Sequence, residues 1–403
     1  MAKIIGFATI PIITRLYNPE LMGVSSSIMS IILILSSIST LKTAVAIPLP
    51  RSDSSAGVIV LLSSFILFLY TLIIAIIIFY LKKINIGNSD FLLISDYLYF
   101  VPIAVLFIGI NEIVSNYLIR NKYFNRLAFG NIVQSLVGNG LKLLPLFLPV
   151  NVIYLLGGTI TTIGFNGLIN LVGVYNDLSR KRIKLSFKLS MSIYHRYRDL
   201  SFYRTLSQFI LVLTSNLPIL YFSYVFDAHS TGILALTISM INVPIVLVAQ
   251  SIGQAYYGEI AALGKHKIEQ IKELTVNLVK RMLLISSIPF LTIAFLGEEI
   301  FSTLFGEEWQ GSGEYASIMS IYLIFNLLVL PVINVLNVLE KNKLYLQFNL
   351  QRFALIMLSL IISYVIGANE VLTIKLYSAF LSVQYLFVLI SVLHIIKEDK
   401  KGA

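Results

Sequence analysis

Apolar runs of membrane-spanning length recur along the whole chain and leave it few folds. A helix needs about 20 apolar residues to cross the hydrocarbon of a bilayer. Such runs predict twelve spans, the first of them short: 3–16, 22–46, 56–81, 92–119, 127–148 and 151–175, then, after a long polar stretch, 202–225, 231–257, 278–297, 313–337, 344–366 and 371–396. Composition agrees, since 57% of the 403 residues are hydrophobic and only 12% charged, about half the charged share of a soluble domain. A soluble fold cannot hide that much apolar surface, whereas lipid solvates it. The expectation is an all-α polytopic membrane protein with about twelve transmembrane helices.

The basic residues test this count independently. With the first span starting inside, the cytoplasmic ends and loops hold 24 of the 30 Lys and Arg residues, from Lys3, Lys42 and Arg51 to Lys397, Lys400 and Lys401. That is the bias cytoplasmic loops carry, and one missed or surplus helix would invert every later loop. Both termini are therefore predicted to be cytoplasmic. The opening MAKIIGFATIPIITRLY is read as a span, because it has one Lys, Arg15 interrupts it and no small-residue cleavage site follows. The outer loop 298–314, with Glu298, Glu299, Glu307, Glu308 and Glu314, reads as a solvated external face. The stretch 176–201 is the most basic and separates six spans from six. It predicts an N-lobe over 1–175, a cytoplasmic linker over 176–201 and a C-lobe over 202–403. Basic clusters beside a membrane also attract anionic lipid headgroups, but the linker reading requires less.

Several function classes fall away. There is no cysteine, so thiolate metal sites and cysteine nucleophiles are excluded, and the four histidines have no ligand-like spacing. Leu155-Leu156-Gly157-Gly158-Thr159 lies inside a span and lacks the lysine of a phosphate loop. The net charge of +10 is explained by topology, not by nucleic acid. No metal, cofactor or catalytic group is expected.

Two turns echo each other. Tyr17-Asn18-Pro19-Glu20-Leu21-Met22-Gly23-Val24 and Phe226-Asp227-Ala228-His229-Ser230-Thr231-Gly232-Ile233 both run aromatic, turn former, four residues, Gly, β-branched. Each opens the second span of its six-span half. Turn chemistry starts both, and each Gly would open a helix or let it pack closely. With six spans on either side of the linker, this predicts two parallel repeats about an axis along the membrane normal, a common build among transporters.

Polar groups inside spans cost about 2.5–3.5 kcal/mol when charged, so they usually face a cavity or a partner. Span 5 carries Asn131, Ser135, Gly138 and Lys142 on one stripe, with Gln134 and Asn139 beside it; span 4 carries Asn111, Glu112, Ser115 and Asn116. Span 11 carries Asn349, Arg352, Ser359 and Ser363, with Arg352 about 12 Å in from its cytoplasmic end at 1.5 Å per residue. Span 8 adds Gln250 and Gln254, and span 7 adds Arg204, Gln208 and Asn216. For the neutral residues, helix–helix glue and a cavity lining are equally good readings. For Arg352 and Lys142 the cavity is favoured, since no acid sits at matching depth. Glu112 is the only carboxylate well inside a span, too thin a set for a proton relay.

Five stretches resemble one family: Thr14-Arg15-Leu16-Tyr17-Asn18-Pro19-Glu20-Leu21-Met22-Gly23, Leu41-Lys42-Thr43-Ala44-Val45-Ala46-Ile47 through Pro50-Arg51-Ser52-Asp53, Tyr197-Arg198-Asp199-Leu200, the run from Gly232 to Glu259, and Phe305-Gly306-Glu307-Glu308-Trp309. In this order they resemble the polysaccharide-biosynthesis flippases of the Wzx type, within the multidrug/oligosaccharidyl-lipid/polysaccharide (MOP) exporter superfamily. The resemblance implies two six-helix lobes that open alternately to each side. It implies a bacterial cytoplasmic-membrane protein that moves undecaprenyl-pyrophosphate-linked sugar repeat units of O-antigen, lipopolysaccharide or capsule to the outer leaflet. A polysaccharide polymerase and a chain-length regulator are its implied partners. A cationic cavity would hold the charged part of the substrate. Arg15 carries over from the first-loop motif and Lys42 from the second stretch, while Lys142, Arg352, Asn139 and Gln254 join them on the depth argument. Glu112 is the candidate for ion coupling. The family's first helix is full length, whereas the span 3–16 is short; a start upstream of Met1 or a truncated gene would account for that.

Two rivals differ in what they need. A drug or cation antiporter of the same fold expects a more acidic ion site. A sugar-polymer polymerase or ligase expects a large outer loop with basic catalytic residues, and the outer loops here are short and the longest is acidic.

Overall fold

The computed structural model describes residues 2–83, 95–180 and 187–402. Among them the chain is helical, with no strand and twelve long helices: α1 (Ala2–Leu16), α2 (Pro19–Ser36), α3 (Asp53–Lys83), α4 (Phe100–Arg120), α5 (Phe124–Lys142), α6 (Val152–Arg180), α7 (Phe187–Val225), α8 (Ala228–Leu263), α9 (Ile268–Phe305), α10 (Gln310–Val332), α11 (Asn342–Val365) and α12 (Glu370–Gly402). They follow the twelve predicted spans in order. Ten are long and apolar enough to cross a membrane. The other two are α1, which is short, and α5, whose Asn, Gln and Gly residues dilute its apolar character. Large side chains such as Phe65, Phe79 and Phe295 stand exposed, as lipid-facing residues must. The chain is a multi-pass membrane protein. Residues 92–94 of the fourth expected span, and Lys181, Arg182 and Lys184 of the basic stretch, lie outside the described residues.

Helix ends depart from expectation where hydroxyls or polar residues intervene. The second span was expected to run to residue 46, yet α2 stops at Ser36. Beyond it Ser37 donates to the Ile34 carbonyl, Ser39 to Ser36 and Thr43 to Thr40. Such local bonds compete with helix propagation. Leu41 and Lys42 then turn through positive φ values of 46° and 49° into a 3-10 turn, Thr43–Ala46. At the other extreme, α7 begins at Phe187, so residues 187–201 of the expected linker are helical and continuous with the span.

By internal contacts the chain forms two compact units, Met1–Gly232 and Ile233–Ala403. The six-and-six lobes divided at 176–201 are a statement about repeats, and that division stands as a proposal. In the first unit Val24, Ile28 and Ile32 of α2 are buried with Ile74 of α3, Val101 and Val105 of α4 and Leu156 of α6. A second cluster joins Ala44 and Ile47 of the turn to Ile59 of α3, Ile113 and Tyr117 of α4 and Ile193 of α7. Polar bonds tie α5 to α6: Asn166 donates its side chain to Asn131 and its backbone N–H to Gln134, at 3.1 and 2.9 Å. Gly130 and Gly138 let the helices close on Asn166 and on Thr162 and Gly158. The stripe on the fifth span therefore faces α6.

The two echoing turns meet. Asn18 caps α2 by accepting from the Leu21 N–H at 3.1 Å, and Asp227 accepts from the Ser230 N–H at 2.7 Å at the start of α8, in the same register. A Cβ on Gly23 would lie 1.8 Å from the Ala228 carbonyl oxygen, and a Cβ on Gly232 would lie 1.9 Å from that of Pro19. Each glycine sits against the carbonyl four residues before the other. In the second unit Gly306 has φ 111°, which only glycine adopts without strain. It ends α9 and leads into Trp309, which is fully buried. Ser312 donates to the Ile233 carbonyl and Thr237 to that of Ser312, clasping α8 to α10.

Candidate functional site

The break after α2 swings Lys42 sideways toward α4. Its Nζ lies 2.7 Å from Glu112 Oε1, and the Thr40 hydroxyl donates to Glu112 Oε2 at 3.0 Å. The two charged side chains are only 15% and 19% exposed, so water screens them poorly. Asn111, Glu112, Ser115 and Asn116 share one face of α4 by their i, i+4 spacing. With Ser36 of α2, Ser37 just after it, and Ser215 and Asn216 of α7, they line a cavity of 560 Å³. Several lining groups are already used locally: Asn116 donates to the Glu112 carbonyl, Asn216 to Val212 and Asn111 to Ile163 on α6. The chamber thus holds one cation and one anion neutralising each other, within a hydroxyl- and amide-lined wall. An incoming anion can compete with Glu112 for Lys42, and an incoming cation with Lys42 for Glu112.

The other expected site residues are dispersed. Asn139 is buried and binds α5 to α1, donating to Ser135 at 2.7 Å and accepting from Thr9 at 3.2 Å. Lys142 ends the same helix, its aliphatic stem against Gly158 and its carbonyl accepting from Tyr17 at 3.1 Å. Burial, and then the nearby Tyr154, push the Tyr17 phenol up to about 12, so it remains a donor. Arg15 is exposed and has no ion-pair partner among the described residues. In the second unit Arg352 lies among tyrosines. Its Nη1 donates to Tyr385 at 3.5 Å, and its Nε is buried without a hydrogen-bond partner. Tyr322 stacks on Tyr385 and meets Tyr377 edge-on. Gln254 is exposed and lines, with Gln250, Tyr257 and Asn334, a separate cavity of 400 Å³. The structure therefore joins Lys42 to Glu112 and gives the remaining candidates other surroundings. Thr40 was missed; the run Ser36-Ser37-Ile38-Ser39-Thr40, dense in helix-competing hydroxyls, was the signal that could have found it.

Twelve long helices in this order give the chain the fold of the MATE and MurJ proteins. Over 100% of this chain and 96% of the other, it is similar at 13% identity and a TM-score of 0.72 to an inward-facing multidrug resistance MATE family transporter of the MOP superfamily. It is similar at 13% identity and a TM-score of 0.71 to the lipid II flippase MurJ in an inward closed conformation, over 97% of this chain and 87% of that one. A MOP superfamily transporter from Pyrococcus furiosus is similar at 12% identity and a TM-score of 0.54, over 99% and 93%. At such identities the likeness concerns the fold. No curated protein matches in sequence. The sequence model of the polysaccharide biosynthesis proteins matches residues 59–314, and the chain belongs to that family.

Proposed function

We propose that this protein is a flippase that carries undecaprenyl-pyrophosphate-linked oligosaccharide repeat units from the cytoplasmic to the outer leaflet by alternating access. The observation that carries the reading is Lys42, held by a single carboxylate in a chamber of hydroxyls and amides, on a transporter of a polysaccharide biosynthesis family. A pyrophosphate is a stronger anionic partner than one carboxylate and offers several acceptor oxygens to a lysine. Hydroxyls and amides suit sugar groups. Arg15, Lys142, Arg352, Asn139 and Gln254 are proposed as further contacts along the route, and Glu112, once released by Lys42, as the group that couples an ion.

The rival of the same fold, a cation or drug antiporter, needs a free acid, and Glu112 is occupied by Lys42 and Thr40. The protein is proposed to reside in the bacterial cytoplasmic membrane with both termini inside. A polysaccharide polymerase and a chain-length regulator are its proposed partners. Deleting the gene and extracting lipids tests the reading. Undecaprenyl-linked single repeat units should build up on the cytoplasmic leaflet while surface polymer is lost. An intact polymer coat with no build-up would turn the assignment toward an antiporter.

A further inference from the structure

Two more cavities adjoin the chamber along α7. The chamber touches α7 at 211–216. Next to it, at 198–209, a cavity of 300 Å³ is walled by Ile38, Leu41, Phe202, Leu206 and Phe209, with Arg198 at its edge. Beyond that, at 193–197, a cavity of 430 Å³ is lined by Arg51, Ser52, Ser55, Arg196 and Tyr197. From 193 to 216 these three cover about 35 Å of helix at 1.5 Å per residue. Their characters run basic, apolar, polar. Each is also walled by the segment that follows the break in α2 or the loop after it.

The basic cavity is a fixed feature. Arg120 of α4 holds the loop, donating to the Pro50 carbonyl and pairing with Asp53 at 3.1 Å. That uses the nearby carboxylate and leaves the side chain of Arg51 on the cavity. Arg196 sits over the Tyr197 ring at 5.7 Å. Among the described residues no carboxylate lines this cavity, whereas two arginines and two serines do. That set suits a diphosphate, which takes bidentate arginine bonds. The neighbouring apolar cavity suits hydrocarbon, and several of its side chains, Phe202 among them, are exposed and uncovered by protein.

We propose that this face of α7 is a docking site for the lipid-linked substrate before it turns over, with the diphosphate between Arg51 and Arg196 and the first isoprene units in the pocket of Leu41, Phe202, Leu206 and Phe209. The inference rests on the flippase reading and extends it to the lipid part of the substrate. Charge complementarity selects a phosphate headgroup, and the single apolar pocket takes one chain, as an isoprenoid diphosphate has, where a phospholipid has two. Continuity with the Lys42 chamber on the same walls gives the bound lipid a next position. Arg51 and Arg196 fall on the side predicted to be cytoplasmic, where such a lipid is made.

The test is photo-cross-linking of the full chain in phosphatidylcholine vesicles carrying radiolabelled undecaprenyl diphosphate. Phe202→p-benzoylphenylalanine places the reporter at an exposed position. Label should transfer to the protein. The pair Arg51→Gln and Arg196→Gln should lower transfer roughly tenfold or more, while Arg51→Lys with Arg196→Lys, which keeps the charge but not the fork, should fall between this pair and the wild type. Excess phosphatidylglycerol should not compete. Transfer indifferent to the glutamine pair, equal competition by phosphatidylglycerol, or no transfer to a chain that melts normally would each overturn the proposal. The gene-deletion lipid analysis judges the flippase reading separately, so repeat-unit build-up without cross-linking rejects the docking site alone.

Discussion

Lys42 and Glu112 come from segments far apart in sequence and share a poorly screened contact of 2.7 Å. Removing one member leaves the other as an unpaired charge in a confined place. Lys42→Ala is expected to destabilise the protein by about 1–3 kcal/mol, less than a fully buried pair would, because both side chains keep some solvent. The double variant Lys42→Ala/Glu112→Ala should recover part of that loss. Melting curves of the three variants decide it, and strictly additive effects would mean that the pair is not coupled. Arg352 has a different situation, with phenols around it and a buried Nε that no described residue satisfies. Arg352→Ala should cut export of repeat units while the protein stays in the membrane, and normal export would remove Arg352 from the transport route. Depth in a span singled out Arg352, and the resemblance singled out Lys42. Neither signal could say which neighbours they meet, because that depends on where α2 breaks and on how tyrosines of α10 and α12 approach α11.

At the level of helices, the apolar runs carried nearly the whole architecture, since twelve predicted spans became twelve helices in the same order. What the runs could not convey was where hydroxyls and amides redirect a helix or bind it to a neighbour. Past Ser36 the apolar residues Ile38, Leu41, Ala44, Val45 and Ala46 extend a hydropathy count to residue 46, whereas local hydroxyl bonds accompany the end of α2 at Ser36. The polar stripe of α5 was open to two readings, and the bonds of Asn166 and Asn139 show that much of it serves to hold α5 against α6 and α1. The contact between α2 and α8 is a sharper case. Gly23→Ala or Gly232→Ala places a methyl group less than 2 Å from a backbone carbonyl. Either change should cost about 1–3 kcal/mol of stability, the usual penalty of overpacking. Lower yield and an earlier melt in detergent are the readouts, and a wild-type melt for both variants would mean that the backbones separate at no cost.

For the molecule as a whole, the distribution of Lys and Arg predicts an orientation that reporter fusions can check. An alkaline phosphatase fused within the acidic stretch 298–314 should be active outside the cell, and one fused after Lys401 should be silent; the opposite pattern would reverse every loop and move Arg51 and Arg196 to the wrong side for a newly made lipid. The reciprocal seating of Gly23 and Gly232 has a consequence for descent as well as for mechanics. Two halves that arose as copies ordinarily drift apart, each column of the alignment free of its twin. Here a side chain added at Gly23 or Gly232 strikes the main chain of the opposite turn, so these two columns cannot vary independently. Among homologous chains they should stay minimal together, or change together with the residues four positions before them, leaving a pair of covarying sites as the proposed duplication predicts.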